Sequence, residues 1–98
     1  MVEVRSTREF ERWLAGLRDG MNRRRLGRRL ERAQSGNLGD VSSVGDGVME
    51  MREHFGPGWR MYYVQHGDVL IVMLGGGEKS MQDKDIAEAK RRAAGLQD

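Results

Sequence analysis

Val48-Met49-Glu50-Met51-Arg52-Glu53-His54-Phe55-Gly56-Pro57-Gly58-Trp59-Arg60-Met61-Tyr62-Tyr63-Val64-Gln65 is the stretch in which the hydrophobic period becomes two. Successive strand side chains point to opposite faces. Val48, Glu50, Arg52 and His54 therefore share one face, and Met49, Met51, Glu53 and Phe55 the other. Gly56-Pro57-Gly58 has turn chemistry, and Trp59 to Gln65 reads as the next strand. His66-Gly67-Asp68 turns the chain again into Val69–Leu74, which is apolar on both faces and so reads as a central strand. Strands joined by such short turns pair antiparallel.

Upstream the period is helical. Residues 2–5 alternate weakly, as a short strand would, and Ser6-Thr7-Arg8-Glu9 reads as a capping box. Phe10, Trp13, Leu14 and Leu17 then form one apolar stripe, which Asp19-Gly20 ends. A second helix is expected from Asn22 to Gln34, with Leu26, Leu30 and Ala33 inward and Arg23, Arg24, Arg25, Arg28, Arg29 and Arg32 over the rest of its surface. Ser35-Gly36 stops it. Glycines at 36, 39, 45 and 47, with Asn37, Asp40 and Asp46, make residues 36–47 a loop. Downstream, Gly75-Gly76-Gly77 closes the sheet, Ser80 with Asp83 signals a helix cap, and Ile86, Ala89, Ala93 and Leu96 give a weakly amphipathic helix to the end. The order β-αα-βββ-α indicates an α+β fold. A helical hairpin and a small antiparallel sheet are expected, in a single domain over residues 1–98.

Size and composition bound the function. Ninety-eight residues can bury one core but cannot house separate cofactor and substrate domains. The absence of cysteine excludes disulfide scaffolds, thiolate zinc sites and cysteine nucleophiles, and with two histidines a His-rich metal site is not expected. The apolar run Val69–Leu74 is six residues, far short of the roughly 20 that span a bilayer. Met1-Val2-Glu3-Val4-Arg5 lacks the apolar core of a signal peptide, so a soluble, cytoplasmic protein without membrane association is expected. The net charge of +2 conceals an asymmetry: residues 1–34 hold ten arginines against five acids, whereas 35–79 hold three basic residues against six. Arginine outnumbers lysine fourteen to three. Arginine forks match phosphates, so this composition suits nucleic acid or an acidic partner; a GC-rich genome would produce the same bias.

Two groups of residues could carry chemistry. Glu50, Arg52 and His54 share a strand face, and Arg60 lies across the Gly-Pro-Gly turn; if it joins that face, two guanidiniums and a carboxylate project beside Lys79. Fixed cations stabilise charge on a reacting phosphate, and a carboxylate or imidazole moves a proton. The competing reading is a solvated charged face. Gly75-Gly76-Gly77-Glu78-Lys79-Ser80 imitates a phosphate loop, but Glu78 stands where that motif needs glycine, which leaves only a helix start at Ser80 that favours an anion. Arg23, Arg24 and Arg28 of the second helix could grip RNA or an acidic antagonist, or form a solvated face. Trp59 and Tyr62 could stack on a base or pack on neighbouring strands. Asp83 and Asp85 read as first-turn acids of the last helix.

The run Arg52-Glu53-His54-Phe55-Gly56-Pro57-Gly58-Trp59-Arg60, together with Gly76-Gly77-Glu78-Lys79-Ser80-Met81-Gln82-Asp83-Lys84-Asp85-Ile86, resembles the RelE/ParE toxin superfamily, specifically its short HigB-like branch of addiction module killer proteins. Phe10-Glu11-Arg12-Trp13-Leu14 and Gly36-Asn37-Leu38-Gly39-Asp40-Val41 fit the same branch, so the resemblance spans nearly the whole chain. It implies a RelE-like fold, a helical hairpin packed on a small twisted antiparallel sheet, and the toxin of a type II toxin-antitoxin system, a metal-independent endoribonuclease that cuts mRNA on the ribosome without a cofactor. In that chemistry a ribose 2′-hydroxyl attacks the adjacent phosphate. Arg60 matches the family's strand arginine at the scissile phosphate, Arg52 one of its basic residues on the preceding strand, and Lys79 its basic residue after the last strand. Glu50 stands near a position that is often basic, and Asp85 near that of a C-terminal catalytic tyrosine, so the general base is open between Glu50 and His54. The implied partners are a cognate helix-turn-helix, HigA-like antitoxin, the ribosome and its mRNA, with operator DNA bound only through the antitoxin complex. The alternatives are a ParE-like gyrase inhibitor on the same fold and a degenerate toxin that acts only as an antitoxin-binding regulatory module.

Overall fold

Thr7, rather than Ser6, caps the first helix, because its hydroxyl serves two elements. It accepts from the Phe10 amide at 3.2 Å and donates to the Met73 carbonyl at 2.9 Å, fastening the helix start to a strand. In the computed structural model, which describes residues 2–96, the chain runs β1 (Glu3–Ser6), α1 (Arg8–Ala15), α2 (Gly20–Gln34), β2 (Val41–Gly45), β3 (Val48–Arg52), β4 (Trp59–His66), β5 (Leu70–Glu78), a 3₁₀ turn (Lys79–Met81) and α3 (Gln82–Ala94). The fold is α+β, with a five-stranded sheet and three helices. Met1, Gln97 and Asp98, included in the expected domain, lie outside the described residues.

Three expectations are corrected. The segment 36–47 is not all loop: Val41–Gly45 forms edge strand β2, antiparallel to β3, with Val44 as an extra residue between the Ser43–Met49 and Gly45–Val48 pairs. The sheet, ordered β1-β5-β4-β3-β2, is mixed and not purely antiparallel, since β1 runs parallel to β5. Parallel neighbours need a long crossover, and everything from α1 to β4 supplies it. Finally, β5 continues through Gly75-Gly76-Gly77, and α3 begins at Gln82 without a side-chain cap, so Ser80 lies in the 3₁₀ turn instead of capping a helix.

The two-helix unit covers one face of the sheet and α3 the other. Phe10, Leu26 and Ala33 pack with Met51, Met61, Tyr63, Ile71 and Met73 on the first face. Val48, Tyr62 and Leu74 meet Ala89 on the second. Burying each large apolar side chain contributes about 1.5–3 kcal/mol. Gly76 is required where it stands, because a Cβ there would collide with the Trp13 ring. Leu74 is an extra residue between the Tyr62–Gly75 and Tyr63–Met73 pairs, a bulge that shifts the face on which the following residues lie. Gly77 then faces Asp85 of α3. Among the described residues, no helix is long and apolar enough to cross a membrane.

Candidate functional site

At one end of the sheet the exit of β3, the entry of β4 and the exit of β5 converge. Arg52 and Arg60 are directly opposite across β3 and β4, so they share a face. The Gly56-Pro57-Gly58 turn is closed by the Gly58 amide donating to the Phe55 carbonyl at 3.1 Å. The Lys79 amide donates to the Gly58 carbonyl at 2.9 Å, drawing the end of β5 against the turn. Gly58 has φ +79°, and a Cβ there would lie 3.2 Å from Lys79 Cβ. The resulting cleft, of about 510 Å³, is lined by all five expected chemical residues: Glu50, Arg52, His54, Arg60 and Lys79. A larger hollow of about 760 Å³, lined by Val64, Leu70, Val72 and Ala93 among others, gathers none of them.

The cations of the cleft are held differently. Arg60 is 5% exposed and donates through one terminal nitrogen to the carbonyls of Glu53 and Trp59, both at 3.1 Å, while its buried Nε has no acceptor among the described residues. Arg52 is tied to Asp40: its Nε and a terminal nitrogen lie 3.2 and 2.7 Å from Asp40 Oδ1. His54 Nε2 lies 2.9 Å from Oδ2 of the same carboxylate. Hydrogen bonds from Arg52 first and His54 second hold the Asp40 carboxyl at about 2, below the ordinary carboxylate range. The same contact raises Arg52, with a further contribution from the charge of Glu50. Glu50 is nearly buried on the face of Arg52, opposite Tyr62. Lys79 is exposed, and among the described residues its ammonium has no ion-pair partner.

Asp40 and Arg29 are the residues that sequence reasoning missed. Arg29 is buried, not on the basic helix surface where the charge pattern placed it. Its guanidinium donates to the carbonyls of Leu38, Asp40 and Arg52 and to the Glu53 carboxylate, bracing the cleft from the helical side. The signal was present: Leu26, Arg29 and Ala33 lie at i, i+3 and i+7, so Arg29 belongs to the inward stripe. Asp40 had no comparable local signal, since its partners come from β3 and the following segment.

The expected RNA-binding residues separate. Arg24 and Arg28 remain exposed on α2, and half-buried Arg23 turns back to the Leu17 carbonyl. Trp59 and Tyr62 are corrected: Trp59 is 8% exposed and packs edge-on against Trp13, and Tyr62 is fully enclosed. Neither offers a ring face to a base. Beside the basic helix, the Phe55 ring is covered by the Arg25 guanidinium at 3.7 Å from its centroid. Asp83 and Asp85 do sit in the first turn of α3, and burial pushes the Asp85 carboxyl up.

Fold and cleft together define a small α+β protein with three cations, two carboxylates and an imidazole converging at one end of a mixed sheet. That combination can bind an anionic ester and move protons beside it. Comparison with known proteins adds a family. The chain is 40% identical over 95 residues to an uncharacterized protein of Haemophilus influenzae, covering 97% of this chain and 96% of that one, and it belongs to the same family. A conserved hypothetical protein of Helicobacter pylori, known from its solution structure, shares the fold with a TM-score of 0.52 at 16% identity, over 82% of this chain and 97% of its own. No protein-family model matches the chain.

Proposed function

We propose that the protein is the toxin of a type II toxin-antitoxin system, a HigB-like member of the RelE/ParE superfamily with a RelE-like fold. It acts in the cytoplasm as a ribosome-dependent mRNA endoribonuclease. The observation that carries the reading is the convergence of Arg52, Arg60, Lys79, Glu50 and His54 on one cleft. The resemblance of the two motif runs names the substrate.

The chemistry follows from what each group can do. Arg60, largely desolvated, binds the scissile phosphate and stabilises the charge that grows on its oxygens. Arg52, oriented by Asp40, adds a second cation. Glu50 or His54 takes the 2′-hydroxyl proton as O2′ bonds to phosphorus. The bond from phosphorus to O5′ breaks, and exposed Lys79 protonates the departing oxygen. The products are a 2′,3′-cyclic phosphate and a 5′-hydroxyl. This route asks for positioning and charge stabilisation, which the chain's own side chains provide without a metal. A helix-turn-helix antitoxin silences the toxin and represses the operon as a complex. The exposed arginines of α2 offer it, or ribosomal RNA, a basic face.

Purified protein added to a reconstituted translation reaction should generate new, codon-phased 5′ ends on a reporter mRNA only when ribosomes are present. Arg60→Ala should abolish them. Undiminished cutting by Arg60→Ala would remove the phosphate role. Intact mRNA with the wild-type protein would refute the nuclease reading and turn attention to gyrase cleavage complexes.

A further inference from the structure

Asp40 connects the two sides of the cleft chemistry, and its own backbone is fixed. Its carbonyl accepts from the Arg52 amide at 2.9 Å and from the Arg29 guanidinium at 2.8 Å. Gly39, at φ +71°, lets the chain pass over that buried guanidinium, where a Cβ would lie 3.1 Å away. The carboxylate is thus carried on a braced segment, with one oxygen on Arg52 and the other on His54.

A carboxylate can only accept hydrogen bonds. Asp40 is ionised throughout the neutral range, since Arg52 and His54 hold it at about 2. His54 Nε2 must therefore donate. A neutral imidazole has one N–H, so Nδ1 is left as an acceptor. Glu50, the other candidate base, is 8% exposed, whereas the His54 side chain is 73% exposed and open to a group as bulky as a ribose.

We infer that Asp40 is a positioning residue for the reaction proposed above: it holds His54 as the Nε2–H tautomer, with Nδ1 free to take the 2′-hydroxyl proton, and it fixes the Arg52 fork beside it. The inference rests on the nuclease reading for the identity of the proton. As O2′ bonds to phosphorus its proton passes to Nδ1, the bond to O5′ breaks, and O5′ takes a proton from the Lys79 ammonium. Solvent then returns a proton to Lys79 and removes one from His54. The charged groups around His54 are Asp40, Glu50 and Arg52, the neighbouring Glu53, Arg60 from β4, Lys79 after β5, and Arg29 from α2 beneath Asp40. A pH profile reports them as a set.

The experiment compares the wild type with Asp40→Asn in two ways. Nitrogen-15 shifts of the His54 ring, at a pH where it is neutral, identify the protonated nitrogen. The wild type should show Nε2–H, and the variant, which turns an amide N–H toward the ring, should lose that preference. In the translation assay the variant should cut at least tenfold more slowly, the scale on which a displaced general base acts, with a shifted acidic limb of the pH profile. An even tautomer mixture or Nδ1–H in the wild type overturns the inference. So does an Asp40→Asn protein that cuts at the wild-type rate with an unchanged profile. A wild-type protein that leaves mRNA intact refutes the nuclease reading instead, and the tautomer measurement alone then decides whether Asp40 positions His54.

Discussion

Replacing Arg29 by methionine tests whether the helical side of the cleft is braced by a buried cation. Methionine keeps most of the stem volume and helix propensity but removes every donor. Arg29 is 5% exposed and makes five hydrogen bonds: two to Leu38 O at 3.2 and 2.9 Å, one to Asp40 O at 2.8 Å, one to Arg52 O at 2.9 Å and one to Glu53 Oε2 at 2.5 Å. Removing one partner of a buried ion pair costs about 3–5 kcal/mol. The Glu53 side chain is 18% exposed and can turn toward water, which selects the lower end, about 3 kcal/mol. For a domain of this length each kcal/mol lowers Tm by roughly 4–8 °C, so Arg29→Met should melt about 12–24 °C below the wild type. Arg28→Met, one residue away but exposed, should stay within about 0.5 kcal/mol. Urea and thermal unfolding of the three proteins check both numbers. Equal, small shifts in the two variants would refute the claim that Arg29 is a clamp and return it to the solvated surface.

Gly76→Ala should destabilise by about 1–3 kcal/mol in urea unfolding, because the new methyl overlaps the Trp13 ring packed on β5; wild-type stability would show that α1 can move aside. Asp40 links stability to acid. Its folded carboxyl, at about 2, lies below its ordinary 3.8, so its contribution is complete above pH 3.8 and disappears as pH falls through 2. Asp40→Asn should flatten that part of the acid-unfolding curve, and superimposable curves would contradict it. Tyr62 and Tyr63 are fully enclosed, and burial raises both hydroxyls above their usual 10.0. Their contribution is complete below pH 10.0 and is lost as pH rises through the elevated folded values, so phenolate absorbance should appear only with unfolding; free titration at pH 10.0 would show an open structure.

The period of two read over Val48–Phe55 and Trp59–Gln65 located β3, β4 and the turn between them but left the alignment of Arg52 with Arg60 conditional, and β3 ends at Arg52, so His54 lies beyond the strand face on which the alternation put it. Alternation is a local consequence of backbone geometry, so it survives without knowledge of neighbours. What was illegible depends on distant partners. Val41–Gly45, with serines and a terminal glycine, has little strand propensity of its own and is a strand because β3 lies beside it. The parallel pairing of β1 with β5 joins residues about seventy positions apart, and no local pattern encodes it. The three glycines read as an ending because glycine usually punctuates; here they clear room for Trp13, Arg92 and Asp85 against a continuous strand. Trp59 and Tyr62 were misplaced for a related reason: alternation assigns a face, and only the helices above and below decide whether that face is open.

The pairing of Arg52 with Arg60 is the least economical feature of the sheet. Like charges directly opposite in an antiparallel pair destabilise it. The surrounding fold compensates only in part: Asp40 takes up Arg52, and the Glu53 and Trp59 carbonyls take up one terminal nitrogen of Arg60. Among the described residues Arg60 Nε remains buried without an acceptor, and Lys79 adds a third cation to the same cleft. The nearby acids offset the set only in part: Glu53 is bonded to Arg29, Asp40 is shared with His54, and Glu50 is left as one carboxylate facing three cations. A chain shaped for stability alone would replace either arginine by threonine or valine, which pair well across strands. Local rules broken with only partial internal compensation are expected where a site is kept for an external ligand. Here the missing partner is an anion, and a phosphodiester offers oxygens to Arg52, Arg60 and Lys79 together, which a single carboxylate within the chain does not.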